Sequence, residues 1–251
     1  MDIQNKIFKN KMLICFHHAG GSARVFTNWK KKIQNIEIVG IDMPKRGEKY
    51  GIDFPENINS FAYAVAMEIS PQIQGRDFVL YGHSLGALIA FLTASFLERE
   101  FGLTAKGLIV SGRHAPDQIN FSPYKHGMGR EALIKAIREY GLTPKELLDN
   151  QEFMDYYLPI VEKDYAWSEK YTYQRECLKE IPIKAYASSE DIEATPEIMQ
   201  MWENMTQSDF AIERFTGGHF FPFHHEEEYL LEMKKTLSTW FNNKREETIS
   251  L

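Results

Sequence analysis

The residues Gly82-His83-Ser84-Leu85-Gly86 hold the densest concentration of chemistry in the sequence. They follow an apolar run of strand character, Phe78 to Tyr81, and precede a stretch with helical period, Ala87 to Phe101. A serine serves as a nucleophile when its hydroxyl stands clear of the backbone. A tight strand-to-helix turn achieves this if the residues two before and two after carry almost no side chain. Gly82 and Gly86 meet that condition. The turn also sets Ser84 at the positive end of a helix, where the N–H of Leu85 can face a developing oxyanion. The letters G-x-S-x-G alone are a weak pattern, but a strand before and a helix after favour function over an incidental turn.

A nucleophilic serine needs a base, and the base needs an acid that orients it. In α/β-hydrolases the chain order is serine, acid, histidine, so the base is expected beyond the last strand. Phe215-Thr216-Gly217-Gly218-His219-Phe220 fits: a strand ends in two glycines and delivers a histidine into a loop before the final helix. Among eight histidines, His219 is therefore the expected base. His224 and His225, beside Glu226, Glu227 and Glu228, read as solvent-facing or capping residues, and His83 reads as a packing residue. The acid is expected after the preceding strand, where Ser188-Ser189-Glu190-Asp191 offers two carboxylates. Asp191 is preferred, and Glu190 stays open because its longer arm changes the reach; alternatively both cap a helix starting near Pro196.

A second backbone donor is expected from the turn Cys15-Phe16-His17-His18-Ala19-Gly20-Gly21-Ser22-Ala23, with the N–H of Ala19 as the donor. This turn lacks the G-x-G-x-x-G and G-K-[ST] patterns of phosphate cradles. Adjacent histidines such as His17 and His18 rarely converge on one ion, and no carboxylate stands at helical spacing to them, so neither a metal nor a cofactor is expected.

These groups require a scaffold. Short apolar runs at Met12 to Phe16, Ile36 to Ile41, Phe78 to Tyr81, Gly107 to Val110, Ile183 to Ala187 and, more weakly, Phe210 to Phe215 read as strands. Helix-period stretches at Ala23 to Ile33, Ile58 to Ile73, Ala87 to Phe101 and Leu230 to Phe241 lie between or after them. The alternation predicts an α/β fold with a mainly parallel sheet covered by helices on both faces. It breaks over 121–180, where Glu131 to Tyr140, Pro144 to Leu148 and Gln151 to Tyr165 read as helices with no strand between them. Such an insertion is expected to cap the carboxyl ends of the strands as a lid, the alternative being an extra layer remote from any site. Length alone does not choose between one domain and two for 251 residues; the pattern favours a single domain over 1–251.

Composition narrows the classes further. A net charge of −6 argues against a broad nucleic-acid binder, and 43% hydrophobic with 25% charged residues is the balance of a folded globule. Cys15 and Cys177 are two isolated thiols without disulfide or C-x-x-C spacing. The window Phe78 to Leu97 has no charge, but Gly82, His83, Ser84 and Gly86 interrupt it, so it reads as a buried strand feeding a buried helix instead of a membrane span. Asp2, Lys6, Lys9 and Lys11 leave no signal-peptide core near the start, and the cytoplasm is the expected location. The polar tail from Asn242 to Leu251 is expected to fray.

Taken together, several motifs resemble one family. The turn His17 to Ala23 with Phe26 and Trp29, the segment Met43-Pro44-Lys45-Arg46-Gly47-Glu48-Lys49, the serine turn, Ser111-Gly112-Arg113-His114-Ala115-Pro116 and Gly217-Gly218-His219-Phe220-Phe221 are similar to the type II thioesterases of nonribosomal peptide and polyketide synthesis. His17 stands where that family usually has proline, and Lys45 where it usually has glycine. The resemblance implies an α/β-hydrolase with a mobile helical lid that clears stalled acyl groups from the phosphopantetheine arm of an acyl- or peptidyl-carrier protein. It assigns Ser84 as nucleophile, His219 as base, Asp191 as acid, and the Ala19 and Leu85 amides as oxyanion hole, with His18 and Phe26 contacting substrate. It also implies a monomer without a cofactor, metal, nucleic acid or membrane partner. An acidic carrier would need a local basic rim, for which Lys30, Lys31, Lys32, Lys45, Arg46 and Lys49 are candidates. Two other classes remain: an esterase or lipase using the same triad on small esters, and a non-catalytic protein that binds a carrier or acyl chain.

Overall fold

A computed structural model describes residues 10–118 and 124–242. Asp2, Lys6, Lys9, the expected start of the insertion at Phe121 and the tail beyond Asn242 lie outside the described residues. Six strands, β1 (Lys11–Phe16), β2 (Glu37–Ile41), β3 (Asp77–His83), β4 (Gly107–Ser111), β5 (Ile183–Ser188) and β6 (Phe210–Phe215), form one sheet in the order β2-β1-β3-β4-β5-β6. Every pairing is parallel, with Leu13 of β1 opposite Ile38 on one side and Val79 on the other.

The helices are α1 (Thr27–Lys32), α2 (Ile58–Ile73), α3 (Leu85–Glu100), α4 (Arg130–Tyr140), α5 (Lys145–Leu148), α6 (Gln151–Glu169), α7 (Pro196–Met199), α8 (Phe221–His224) and α9 (Glu226–Asn242). The expected helix Ala23 to Ile33 is divided: a 3-10 turn over Ala23–Phe26 precedes α1. The side chain of Asp42 anchors that turn by accepting the Ala23 N–H at 2.7 Å. The last helix begins at Glu226, ahead of its first apolar residue, because an acidic opening turn suits the positive end of a helix.

Two cores lie on opposite faces of the sheet, because successive side chains of a strand alternate. Met12, Ile14 and Phe16 of β1, Phe78 and Leu80 of β3, and Leu108 and Val110 of β4 pack with the buried residues of α2 and α3. Their neighbours Leu13, Cys15, Val79, Tyr81 and Ile109 pack instead with Phe26, Trp29 and the Tyr229–Phe241 face of α9. The β3-to-α3 segment that carries no charge is buried along nearly its whole length, as its composition requires.

The strand order creates the site's location. From β1 the chain crosses to β2 at one edge, whereas from β3 it moves the other way to β4. The loops after β1 and β3 therefore part at their carboxyl ends, and a crevice opens there. Between β4 and β5 lie α4, α5 and α6, which share an apolar core of their own built from Leu133, Ile137, Leu148, Met154, Leu158 and Val161. Trp167 of α6 anchors this layer to the main core, with its ring 5.0 Å from Phe54 and 5.4 Å from Phe61. No helix among the described residues is long and apolar enough to cross a membrane.

Trp202, fully buried, packs against Phe91 of α3 and donates its indole N–H to the carbonyl of Arg113 at 2.7 Å. Replacing it with phenylalanine keeps most of the packing but leaves that carbonyl without this donor. The Trp202→Phe protein is expected to lose about 1–3 kcal/mol in urea unfolding; unchanged stability would show that the bond contributes nothing.

Candidate active site

Ser84 follows the last residue of β3 and precedes the first of α3, with φ 56° and ψ −124°. A positive φ is uncommon for a residue with a side chain and costs roughly 1–3 kcal/mol, so it persists only where the surroundings impose it. Here they do. The Ser84 N–H donates to the Ser111 carbonyl at 2.8 Å, which ties the turn to the end of β4. A Cβ on Gly82 would stand 2.1 Å from the carbonyl oxygen of Gly86, and one on Gly86 would stand 2.2 Å from that of Phe16. Both positions need glycine because backbone meets backbone.

His219 lies on the loop after β6 and Asp191 on the loop after β5. Nδ1 of His219 is 3.0 Å from Oδ2 of Asp191, whose side chain is 1% exposed. The other oxygen of Asp191 accepts the backbone N–H of Glu193 at 3.1 Å. Because a carboxylate accepts, His219 Nδ1 carries the proton and Nε2 is left as the acceptor nitrogen. Glu190 instead accepts the Gly217 N–H, so the second candidate acid braces the histidine's loop without meeting the imidazole.

Ser84, Leu85, His18, Ala19 and His219 line one cavity of about 50 Å³. The N–H of Ala19 donates to no protein group among the described residues, and that of Leu85, at the first helical position, has no intrahelical acceptor. Two unpartnered amides thus border the same space as the serine. A wider cleft of about 780 Å³ shares His18 with this cavity and runs between the turn Gly20–Ser22 and residues of α5 and α6, including Leu147, Phe153 and Tyr157. Phe26 lines neither space. It is fully buried, 5.1 Å ring to ring from Trp29 and 5.9 Å from Tyr81, so the expectation that it touches substrate is corrected: its ring turns into the core beneath the loop.

Other residues of the small cavity were not legible as site residues. Tyr140 of α4 sets its ring 5.4 Å from that of His219 and donates its hydroxyl to Glu193. Burial alone would raise the Glu193 carboxyl, but His219 and the Lys125 ammonium hold it below the ordinary carboxylate range. Its place two positions after Asp191 was the one signal available. Arg113 is buried and bonded to the hydroxyl and carbonyl of Ser168, and burial lowers its pKa to about 10.

Four more imidazoles, His17, His18, His83 and His114, lie around the crevice, and burial lowers the pKa of each. His17 donates from Nδ1 to the His18 carbonyl and accepts the Met43 N–H at Nε2, so both of its nitrogens are engaged. His18 donates from Nδ1 to the Ala19 carbonyl, and burial takes its pKa down to about 4. His83 is bonded to the Ser111 hydroxyl, with its ring 5.1 Å from that of His219. His224 and His225 are exposed. The basic rim anticipated from sequence is largely neutralised: Lys32 pairs with Glu226, Lys45 with Asp53, Lys49 with Glu68, and Arg46 turns inward to Asp164.

A parallel sheet with a strained serine turn after its third strand, and a histidine–carboxylate pair delivered by its last two loops, defines the α/β-hydrolase class. Residues 11–237 match the family model of the thioesterase domain, and the chain belongs to the thioesterase family, in its type II branch, as a thioester hydrolase. It is similar to the gramicidin S biosynthesis protein GrsT of Aneurinibacillus migulanus, with 32% identity over 90% of this chain and 88% of that protein. Thioesterase PikA5 of Streptomyces venezuelae is 30% identical over 83% of this chain and 74% of its own length. Among solved structures, YbtT, a type II thioesterase from the yersiniabactin NRPS/PKS biosynthetic pathway, superposes with a TM-score of 0.84 at 26% identity, covering 93% of this chain and 95% of that one.

The buried imidazoles make stability depend on pH. Unfolded, they take up protons near pH 6.5; folded, His18 does so only near pH 4. The unfolded chain therefore binds more protons in this window, and stability is full above about pH 6.5 and falls as pH drops toward 4. His18 alone contributes about 3 kcal/mol across that range. The thermal midpoint is expected to fall steadily between pH 7 and 4.5, and less steeply for His18→Asn; parallel curves would contradict the assignment.

Proposed function

We propose that the protein hydrolyses acyl thioesters through an acyl-enzyme on Ser84, with His219 as base, Asp191 as its orienting acid, and the Ala19 and Leu85 amides as the oxyanion hole. The single observation that carries the reading is the 3.0 Å contact of His219 Nδ1 with Asp191 Oδ2, which leaves Nε2 free in the cavity that Ser84 also lines. As the Ser84 oxygen bonds to the acyl carbon, its proton passes to Nε2 of His219. The carbon–sulfur bond then breaks, and the departing thiol takes that proton. A water molecule gives a proton to the same nitrogen as its oxygen attacks the ester, and the free acid leaves with Ser84 restored. The negative charge that forms on the carbonyl oxygen at each attack meets two N–H donors, the kind of stabilisation worth about 10²–10³ in rate per donor.

Family membership supports a substrate class. GrsT is named for gramicidin S biosynthesis and YbtT for the yersiniabactin NRPS/PKS pathway, and we infer that this chain clears acyl groups from the phosphopantetheine arm of a carrier protein. The cleft of about 780 Å³ has room for an arm or an acyl chain beside the small cavity. Segment 121–180 acts as a lid within one domain over 1–251. With most of the anticipated basic rim already ion-paired, Lys30 and Lys31, exposed on α1, are the cations of that set left for an acidic carrier.

Ser84→Ala is expected to abolish release of acetate from an acetyl-loaded carrier while the protein stays folded; full activity in this variant would remove the proposal. Asp191→Asn should lower kcat by about 10⁴, as changing the orienting acid does in the Ser-His-Asp triad, and Glu190→Gln by far less. The reverse ranking would make Glu190 the acid. A higher kcat/KM on the carrier-bound acyl group than on free oxyesters separates this reading from a general esterase.

A further inference from the structure

The peptide groups that follow the expected oxyanion donor are held by the insertion helix, and α6 does so from two sides. Asp164, completely buried on α6, accepts the Gly20 N–H at 2.8 Å across 144 positions of sequence. Tyr157, also on α6, donates its hydroxyl to the Gly20 carbonyl at 3.1 Å. The helix comes close enough for this only because position 20 is glycine, at φ +73°: a Cβ there would stand 2.5 Å from the Tyr157 oxygen. The same peptide's other end is fixed too, since the Ala19 carbonyl accepts from His18 Nδ1 at 2.9 Å.

A buried carboxylate is costly unless it is paired, and Asp164 is paired fully. Arg46 meets it with two bonds, at 2.6 and 2.8 Å. The same guanidinium donates to the carbonyls of Gly21 and Pro44. One arginine therefore joins the loop after β2, the loop after β1 and the insertion, in a fork that lysine cannot reproduce.

We propose that Asp164 and Tyr157 are positioning residues for the reaction: by fixing both faces of Gly20, with Arg46 neutralising Asp164, they set the direction of the Ala19 N–H in the oxyanion hole. The insertion then does more than cover the site, because the hole is complete only while α6 is seated. This rests on the proposed role of Ala19. An oxyanion donor acts in the transition state and not on the bound substrate, so loosening it lowers kcat and leaves KM in place.

The test uses the full-length chain, the butyryl thioester of N-acetylcysteamine as substrate, and butylboronic acid, whose tetrahedral adduct on Ser84 puts an oxygen into the hole. Tyr157→Phe, which removes one hydroxyl, is expected to lower kcat about fivefold at unchanged KM and to weaken the boronic acid by a similar factor. Asp164→Asn keeps an acceptor for Gly20 but breaks the pairing with Arg46, and is expected to lower both by about a hundredfold. If both variants keep wild-type kcat and boronic acid affinity, the proposal is overturned. It is equally overturned if the thermal midpoint falls while boronic acid affinity holds, since that is a purely structural role. Should Asp164→Asn fail to fold, Tyr157→Phe decides alone. Failure of the broader functional reading looks different: Ser84→Ala would then keep its activity.

Discussion

The site depends on a close approach of three backbones, the end of β1, the end of β3 and the first turn of α3. Gly82 and Gly86 allow carbonyl groups to come where any side chain would collide. Ser84, caught between them, takes a positive φ that the Ser111 carbonyl and the buried start of α3 enforce. The same approach puts the amides of Ala19 and Leu85 beside one space. Without it the serine would relax into an ordinary turn, and the histidine and aspartate brought by the later loops would have nothing to act on.

Most charge at the crevice is excluded or paired, the exception being Arg113, which is buried on the small cavity and bonds to the hydroxyl and carbonyl of Ser168. His17, His18 and His83 are kept neutral by burial, so none of them adds a positive charge beside His219. Of the buried carboxylates, Asp164 is paired with Arg46, and Asp191 accepts from His219 Nδ1 and from the Glu193 N–H. Where burial lowers the local dielectric, a hydrogen bond to a developing negative charge is strengthened. The insertion contributes directly, through Tyr140 over the His219 ring and through Asp164 and Tyr157 on Gly20.

How much of this could be read from sequence depended on how local the signal was. Gly82 to Gly86 and Gly217 to His219 were legible because each is a strand end followed by a turn whose residue types have a steric cause. Strand positions were legible because apolar runs alternate between two cores, and the six runs correspond to the six strands. Phe26 was misread because an aromatic beside the oxyanion turn says nothing about which way its ring faces, and here it faces Trp29 and Tyr81. The ion pairs within the candidate basic rim were illegible for a related reason. Its lysines meet Asp53, Glu68 and Glu226, partners distant in sequence that no spacing rule connects. Arg46 was visible as part of the Met43–Lys49 motif, but its pairing with Asp164, 118 positions away, is a property of the folded chain alone.

The proposed mechanism requires a covalent intermediate on the Ser84 oxygen. Rapid-quench peptide mass spectrometry of the enzyme mixed with an acetyl-loaded carrier protein observes it directly. An acetyl increment should rise and decay on the peptide that contains Ser84, at a rate that matches turnover. Steady release of acetate with no acylated serine, or with the label on another residue, would contradict the assignment of Ser84 and with it the role given to every group around it.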